Sequence, residues 1–506
     1  MIASGGHQNI YGQNNDAFLV KFDPDGVRQW GTYYGGAQED LGWSCAADRS
    51  GNVYLSGTTS SPTAIASGGH QNSYADGTKD AFLVKFGPEG DRIWATYYGG
   101  SSIDDGFHCT TDTLNNVYLT GQTRSPQGIA FNGHLNTLPG SGDDNGFVAK
   151  FDSEGTRIWA TYYGGTELDN AQAAAVDLSG NVYTIAGSSL SMDGIASNGH
   201  QNTHGGGTFE AYLVKFDAMG IRQWATYYGG PGLDQGWGCA VDLEGNVYLA
   251  GISNSASAIA MNGHQTIHAG SMDAYLVKFD SMGIRLWATY YGGDLADEGY
   301  SCVTDQNGDV YLAGLSQSAT GVASGGHQNE NASPGTSDAF LAKFDGSGMR
   351  LWGTYYGGTA SDAGFSCTAD GLGSVYLTGL TYSSAGIGAD GHQNSFGGGY
   401  DGFLVKFEGG ISTLIDDTGT GETSALTIYP NPIPTGGSLL TINGVPDGMM
   451  ITIDIYDAQG KLLMSDRWIS SGTSIKIPIH RSIGSGLYTI MVHDGQNRMK
   501  GKLVVE

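Results

Sequence analysis

The chain has 506 residues, 84 of them Gly, and its 50 acidic against 23 basic side chains give a formal charge of −27. An acidic surface repels phosphate backbones and anionic headgroups, so nucleic acid and membrane surfaces are poor partners. No window approaches the roughly 18 uninterrupted apolar residues of a transmembrane segment, and an aromatic content of 11% argues against disorder.

The first residues, Met1-Ile2-Ala3-Ser4-Gly5-Gly6-His7, read like the middle of a repeat, because Ala64-Ile65-Ala66-Ser67-Gly68-Gly69-His70 follows the same pattern. The expectation is therefore that repeat sequence extends upstream. Residues 1–20 also lack a basic n-region and an apolar h-region. From here a run W-G/A-TYYGG begins at Trp30, Trp94, Trp159, Trp224, Trp287 and Trp352, at spacings of 64, 65, 65, 63 and 65. A run DAFLVKF and its variants ends at Phe22, Phe86, Phe151, Phe216, Phe279, Phe344 and Phe407. A run close to D-x-x-GNVYL holds Tyr54, Tyr118, Tyr183, Tyr248, Tyr311 and Tyr376. GHQN or a variant places His at 7, 70, 134, 200, 264, 327 and 392. The period ends near residue 410.

Each unit predicts four strands. In the first full unit strand a is Trp43–Ala47, strand b Val53–Leu55, strand c Asp80–Phe86 and strand d Trp94–Tyr98. Gly, Asn, Asp and Pro in the turns supply fixed or positive φ. No window holds a 3.6-residue period, so helix is nearly absent. A long repeat of four antiparallel strands selects an all-β propeller with one unit per blade. Six a, six b, seven c and six d strands total 25. Either six blades close with one c strand left over, or seven form with one incomplete. By likeness to other propellers, a is innermost and d outermost.

The string DAFLVKFDPDGVRQWGTYYGG, followed by GNVYLSGTT, resembles the bacterial SBBP-type β-propeller repeat over residues 1 to about 408. The resemblance implies a fold and no catalytic residues.

Cys45, Cys109, Cys239, Cys302 and Cys367 occupy one place in strand a, where the third unit has Ala174. Equivalent atoms of neighbouring blades should lie beyond the ~7 Å Cα limit for a disulfide, which predicts five buried thiols. Two residues earlier, on the same face by alternation, stand Trp43, Phe107, Gln172, Trp237, Tyr300 and Phe365. They read as inter-blade packing or, functionally, as a ligand-binding aromatic surface near the channel mouth. Five residues before each Cys position stand Asp40, Asp104, Asp169, Asp234, Asp297 and Asp362. They read as caps of the turn after YYGG, with a calcium site at the channel mouth as the sharper alternative. No other cofactor is expected. The b–c loops should make one face long-looped, acidic and ringed with His. The His and Asn of GHQN should pin each loop by hydrogen bonds to backbone. Gln172, His108, His204, His268, Tyr382 and Arg124 vary between repeats and are specificity candidates.

There is no G-x-S-x-G, H-E-x-x-H or Walker-type loop. The reading is a non-catalytic scaffold that binds an extracellular protein or glycan. The alternatives are a secreted carbohydrate-active enzyme with its site at the channel mouth, or a purely structural surface protein.

Residues 411–424 are polar and Gly/Thr-rich, the composition of a linker between a propeller over 1–410 and a module over 425–506. Short alternating strands in that module suggest an Ig-like sandwich. Its pieces YPNP (Tyr429, Pro430, Asn431, Pro432), IYDAQGKLL with Gly460, GLYTIMV with Gly486 and Tyr488, and the terminal KLVVE with Lys502 resemble the C-terminal sorting domain of type IX secretion cargo. That resemblance implies the type IX machinery as a partner, and a product secreted from, or held on the outer-membrane surface of, a Gram-negative bacterium.

Overall fold

The structure is a computed structural model that describes residues 2–75, 77–140, 142–370 and 373–408. In the C-terminal part it describes 427–429, 439–443, 450–456, 462–469, 474–478, 486–493 and 498–505. The chain divides into two compact units, 1–410 and 411–506. All regular structure among the described residues is β.

Among its described residues the first unit holds 25 strands in seven antiparallel sheets. Sheet 1 has only strands c (Ala17–Phe22) and d (Arg28–Tyr34). Sheets 2 to 6 are complete, each in the order a–b–c–d. Sheet 2 runs Asp40–Ala47, Val53–Thr59, Asp80–Phe86 and Arg92–Tyr98. Sheet 7 has a (Asp362–Ala369), b (Val375–Thr381) and c (Asp401–Phe407). The two partial sheets hold five strands between them, one more than a blade takes. From sheet 2 to sheet 7, strand a of each sheet packs against strand a of the next, which places the a strands innermost.

The a–b turn shows why the D-x-x-GNVY run recurs. Asp48 Oδ1 accepts from the amides of Ser50 and Asn52, both at 2.9 Å, and Gly51 takes φ 81°, open to glycine at low cost. Asp48 Oδ2 accepts from Asn52 Nδ2 at 2.7 Å and the Tyr54 hydroxyl at 3.3 Å. Lys85 of strand c reaches the same carboxylate at 3.8 Å and donates to the Ser153 carbonyl of the following sheet. One turn thus ties its own blade to its neighbour, and sheets 3, 5 and 6 repeat the lysine–carboxylate pair.

Strands c and d make the core between sheets. The second tyrosine of each TYY is buried and stacks on the c-strand aromatics of the following sheet, as Tyr98 does on Phe147 (5.4 Å) and Phe151 (5.5 Å). Five tryptophans of strand d donate their indole N–H to the c–d turn of the next sheet, as Trp94 does to the Ser153 carbonyl at 3.0 Å.

The long b–c loops differ from expectation. They do not crown a face but run down the outer wall, pairing with the exposed edge of strand d through bridges such as Ser67 to Ala95 and Gln71 to Tyr97. The reason is the unpaired edge that an outermost strand presents, which the loop covers. The GHQN histidines therefore lie far down the wall, at the c–d turn end, and wedge between blades. His70 lies 6.4 Å from Tyr98 and 6.2 Å from Phe151 of the next sheet. The asparagines pin the loop as expected, with Asn72 Nδ2 donating to the Gly69 carbonyl at 2.8 Å. The histidines instead make ring contacts.

The second unit has seven strands in two antiparallel sheets among its described residues. One joins Thr427–Tyr429, Leu439–Asn443 and Ser474–Pro478; the other joins Leu462–Ile469, Met450–Tyr456, Gly486–His493 and Arg498–Val505. Leu440, Ile442, Ile453, Ile455, Ile490 and Val492 are fully buried. Tyr429 ends the first strand, Gly486 opens the GLYTIMV strand, which lies second from the edge of its sheet, Tyr488 is buried, and Lys502 lies in the last strand. Pro430, Asn431, Pro432, Gly460 and the linker 411–424 lie outside the described residues.

Candidate functional site

The end of the propeller where a strands begin carries two acidic sets. The first is the predicted one. Asp40, Asp104, Asp234, Asp297 and Asp362 head the a strands, Asp169 stands four residues before the short a strand of sheet 4, and all six are buried. Each carboxylate closes its own turn. Asp297 Oδ2 accepts from the second glycine of YYGG, Gly293 N, at 2.7 Å and from Ser318 Oγ at 2.8 Å. Asp104 does the same with Gly100 N (2.7 Å) and Ser125 (2.8 Å), and takes a further hydrogen bond from Thr123.

The second set went unnoticed in the sequence, although the first letter of DAFLVKF spells it out each time. Asp16, Asp80, Asn145, Glu210, Asp273, Asp338 and Asp401 stand at the heads of the c strands. Asp273 Oδ2 accepts from Ala269 N at 2.8 Å and from the Gln265 side chain at 3.0 Å. Gln265 Oε1 in turn accepts from Gly292 N at 3.2 Å. The two amides of YYGG are thus received by two different side chains, the glutamine of the GHQN-type loop and the aspartate of strand a. The glycines are needed for this approach: a Cβ on Gly292 would lie 2.6 Å from Asp297 Oδ2, and one on Gly357 2.5 Å from Asp338 Oδ1.

Two buried carboxyls so close are hard to ionise together. Desolvation pushes Asp104 and Asp169 up to about 6. Desolvation, with the charge of Asp362, lifts Asp338 to about 6. Desolvation, with the charge of Asp234, lifts Glu210 to about 7. Among the described residues no group of three or more His, Cys, Asp or Glu side chains gathers as a metal site needs.

The aromatic set sits on the inner strands, and each member marks an irregularity. Trp43, Phe107, Trp237, Tyr300 and Phe365 fall where the a–b register shifts, between Gly42 and Ser44 and their equivalents. Each is the extra residue of a β-bulge, which re-aims its side chain, so simple alternation with the cysteine does not hold there. Gln172 lies just before the shortest a strand, Ala173–Val176. The rings form a ladder from sheet to sheet: Trp43 to Phe107 at 6.3 Å, Trp237 to Tyr300 at 5.7 Å and Tyr300 to Phe365 at 5.6 Å. Gln172 interrupts it. Phe107, Trp237 and Tyr300 are half-buried; Trp43 and Phe365 are exposed.

All five cysteines are free, as expected. Cys109, Cys302 and Cys367 are buried and Cys239 half-buried, but Cys45 is exposed, against expectation. Among the described residues no a strand of sheet 1 covers it. Burial pushes the Cys109 and Cys367 thiols up to about 12.

Five of the six specificity candidates contact other side chains or backbone of this chain, with Arg124 and Tyr382 doing so at the surface. His204 and His268 meet the d-strand tyrosines Tyr227 and Tyr290 edge-on, at 5.5 and 5.4 Å, where other loops use Tyr11 and Tyr74. Arg124 pairs with Asp144 at 2.7 Å. His108 Nδ1 accepts from Ala174 N of the next sheet at 3.4 Å, and desolvation pushes it down to about 4. Tyr382 lies 5.8 Å from Tyr400.

Comparison with known proteins agrees with this architecture. The SBBP family, described as a beta-propeller repeat, matches residues 93–126, 223–257 and 286–319. A secretion system C-terminal sorting domain, Por_Secre_tail, matches residues 427–506. An uncharacterized WD repeat-containing protein of Acanthamoeba polyphaga mimivirus is 23% identical over 481 residues, covering 79% of this chain and 34% of its own length. The regulatory protein FlaEY of Caulobacter vibrioides is 23% identical over 372 residues, covering 69% of this chain and 37% of its own. The chain thus spans about a third of the length of these relatives. Among solved structures, a Synechocystis apocarotenoid oxygenase mutant aligns with 94% of this chain and 95% of its own at 10% identity and a TM-score of 0.34. Latent PorU from Porphyromonas gingivalis aligns with 77% of this chain and 34% of its own at 12% identity and a TM-score of 0.14. This chain therefore carries SBBP β-propeller repeats and a type IX sorting domain. The sorting domain engages the type IX machinery and directs the chain out of the cell, to be secreted or held on the outer-membrane surface.

Proposed function

We propose that this exported SBBP-type propeller is a non-catalytic scaffold that binds an extracellular protein or glycan through the aromatic ladder of its inner strands. The observation that carries this reading is the placement of Trp43, Phe107, Trp237, Tyr300 and Phe365 on β-bulges. A bulge breaks strand pairing to aim one side chain, and five of six inner strands spend that on a large ring. Aromatic faces suit both sugar rings and the apolar anchors of a protein partner. The acidic sets support a scaffold rather than a hydrolase, since Asp104 and Asp297 direct Oδ2 to their own glycine and serine partners. A glycan array and a pull-down from the extracellular fraction test this with the intact chain and with Trp237→Ala/Tyr300→Ala. Binding should be lost in the variant while its circular dichroism is kept. Binding that survives the double substitution, or none with the intact chain, would overturn the reading.

A further inference from the structure

The a–b and c–d turns share the end of the propeller opposite the two acidic sets. Sheets 4 (residues 173–228) and 5 (residues 234–291) stand out there. Next to the aspartate of the a–b turn, sheets 2, 3 and 6 carry Arg49, Thr113 and Gln306, but sheets 4 and 5 carry Leu178 and Leu243. Before the glycine of the c–d turn, sheets 1, 2, 3 and 6 carry Asp25, Glu89, Glu154 and Ser347, but sheets 4 and 5 carry Met219 and Met282. After that glycine both carry isoleucine, Ile221 and Ile284, where sheets 2 and 3 have Asp91 and Thr156 and sheets 1 and 6 have Val27 and Met349.

These six side chains on sheets 4 and 5 are between 49% and 75% exposed. The two sheets are neighbours, since Lys215 and Trp224 of sheet 4 both donate to the Ser281 carbonyl of sheet 5 at 3.0 Å. A single exposed apolar residue is ordinary. Six on adjacent blades, four of them at positions that are polar in the other sheets, form the kind of patch that marks an interaction site. Its methionines suit an irregular partner, because the thioether chain adapts its shape.

The patch is also cleft and charged. Leu178 and Leu243 border a cleft whose walls include Asp177, Asp242, Glu244 and Lys215. An adjoining cleft, bordered by Met282, carries Asp217 and shares Lys215. In sheets 2, 3, 5 and 6 the c-strand lysine pairs with the carboxylate of its own a–b turn, as Lys278 does with Asp242 at 3.3 Å. Lys215 instead lies over the Tyr183 ring at 5.1 Å. Among the described residues Asp177, Asp217 and Glu244 have no ion-pair partner. The clefts therefore hold a net negative charge between aliphatic rims.

Such a surface selects its occupant. Two copies of this chain meeting here would set carboxylate against carboxylate, which disfavours association. A sugar would find no aromatic platform, since Trp224 is buried. We propose that this face of sheets 4 and 5 docks a second protein, through a segment in which lysine or arginine lies among aliphatic residues. The aliphatic side chains rest on Leu178, Met219, Leu243 and Met282, and the cations enter the clefts beside Asp177, Asp217 and Glu244. This surface is separate from the aromatic ladder of the inner strands and stands or falls without it.

The probe is a fluorescein-labelled peptide of alternating lysine and leucine, titrated with the intact chain and followed by anisotropy. It should bind at a single site, and more weakly when salt is raised to about 0.5 M. Leu243→Ser/Met282→Ser and, separately, Glu244→Lys should each weaken binding by about tenfold or more, as loss of a central contact does. All three residues are exposed, so the variants should keep the circular dichroism and melting of the parent. Leu114→Ser on the a–b turn of sheet 3 and Glu89→Lys on the c–d turn of sheet 2 repeat these changes away from the patch and should leave binding unchanged. A peptide with glutamate in place of lysine should not bind. Absence of saturable binding, equal binding by the patch variants and the distant ones, or equal binding of the glutamate peptide would each overturn the proposal. So would a dimer in sedimentation that Leu243→Ser/Met282→Ser dissolves, since a second copy would then be the occupant.

Discussion

Asp273 and Asp297, at the heads of one c strand and the following a strand, are both fully buried, and burial together with the charge of Asp297 pushes Asp273 up to about 7. Both reach the same pair of glycine amides, one directly and one through Gln265. The pair therefore holds a proton more tightly in the folded state than either acid would in the unfolded chain.

That relationship sets a sign for pH dependence. A carboxyl whose folded pKa lies above its unfolded value contributes stability below the unfolded pKa and loses it as pH rises through the folded pKa, here from about 4 to about 7. Other groups titrate in the same window, among them His70, whose pKa burial and then Arg157 lower. The contribution of one residue is therefore read by difference. Asp273→Asn cannot titrate, and Asn145 fills the same place in sheet 3. On going from pH 5 to pH 8, urea unfolding should show the Asn variant losing less stability than the parent, by on the order of 2 kcal/mol. Equal losses in both would sink the shared-proton account.

The caps of strand a should behave alike in every complete blade. Asp297→Ala leaves Gly293 N–H and the Ser318 hydroxyl without their acceptor, and Asp104→Ala does the same to Gly100 and Ser125. Each should cost about 2 kcal/mol, the usual penalty for stranding buried donors of a charge-assisted bond. Each carboxylate works within its own turn, so adding Ca²⁺ should leave both losses unchanged. A calcium-dependent melting shift that vanishes with Asp297→Ala would instead favour a cation at these turns.

The histidines of the outer wall give a third test. His70 fills the space between Tyr98 and Phe151 of consecutive sheets. His70→Ala should cost about 1 kcal/mol through lost aromatic contact, while His70→Phe should recover most of it. If neither substitution moves the unfolding midpoint, the ring contact does not hold the blades together.

The strands were legible because each is spelled out six or seven times, and a residue kept at one register in every copy marks strand or turn whatever its chemistry. The aspartates heading strand a were legible as caps for the same reason. What the sequence hid was whatever depends on a neighbouring sheet. Alternation set Trp43 and Cys45 on one face, but Trp43 is itself the extra residue of a bulge between Gly42 and Ser44, and no spacing announces a bulge. The GHQN loops look like surface loops from their glycines, yet pairing along strand d takes them down the wall, because the demand comes from an edge some 25 residues away in sequence, as between Ser67 and Ala95 or Gln71 and Tyr97. Cys45 and Cys109 stand at the same place in the repeat and differ in exposure only through which strands the preceding sheet possesses.

The exposure of Cys45 gives the next prediction. Under denaturing, non-reducing conditions thiol counting should find five free groups. In the folded chain desolvation raises the pKa of Cys45 as it does those of Cys109 and Cys367, but Cys45 alone is exposed, so it should react faster than the buried Cys109, Cys302 and Cys367. Cys45→Ser should abolish the fast phase. A fast phase that survives this substitution would mean that the a strand of sheet 2 is not placed as described.

The last prediction concerns the two units. The propeller has core clusters built wholly from its own strands, including Tyr98, Phe147 and Phe151 in one and Tyr228, Tyr275 and Phe279 in another. The sorting unit buries its own Ile453, Ile455, Ile490 and Val492. A boundary in the polar stretch 411–424 cuts through neither core. Removing residues 411–506 should therefore leave the melting transition of the propeller in place, within a few degrees. The same deletion should stop delivery to the cell surface and medium, because the sorting domain is what the export machinery reads. Fractionation of cells expressing the intact and shortened chains reads the second effect, and calorimetry of the purified propeller the first. A shortened chain that melts far below the parent would place part of the propeller's stability in the second unit, and one still exported would place the sorting signal elsewhere.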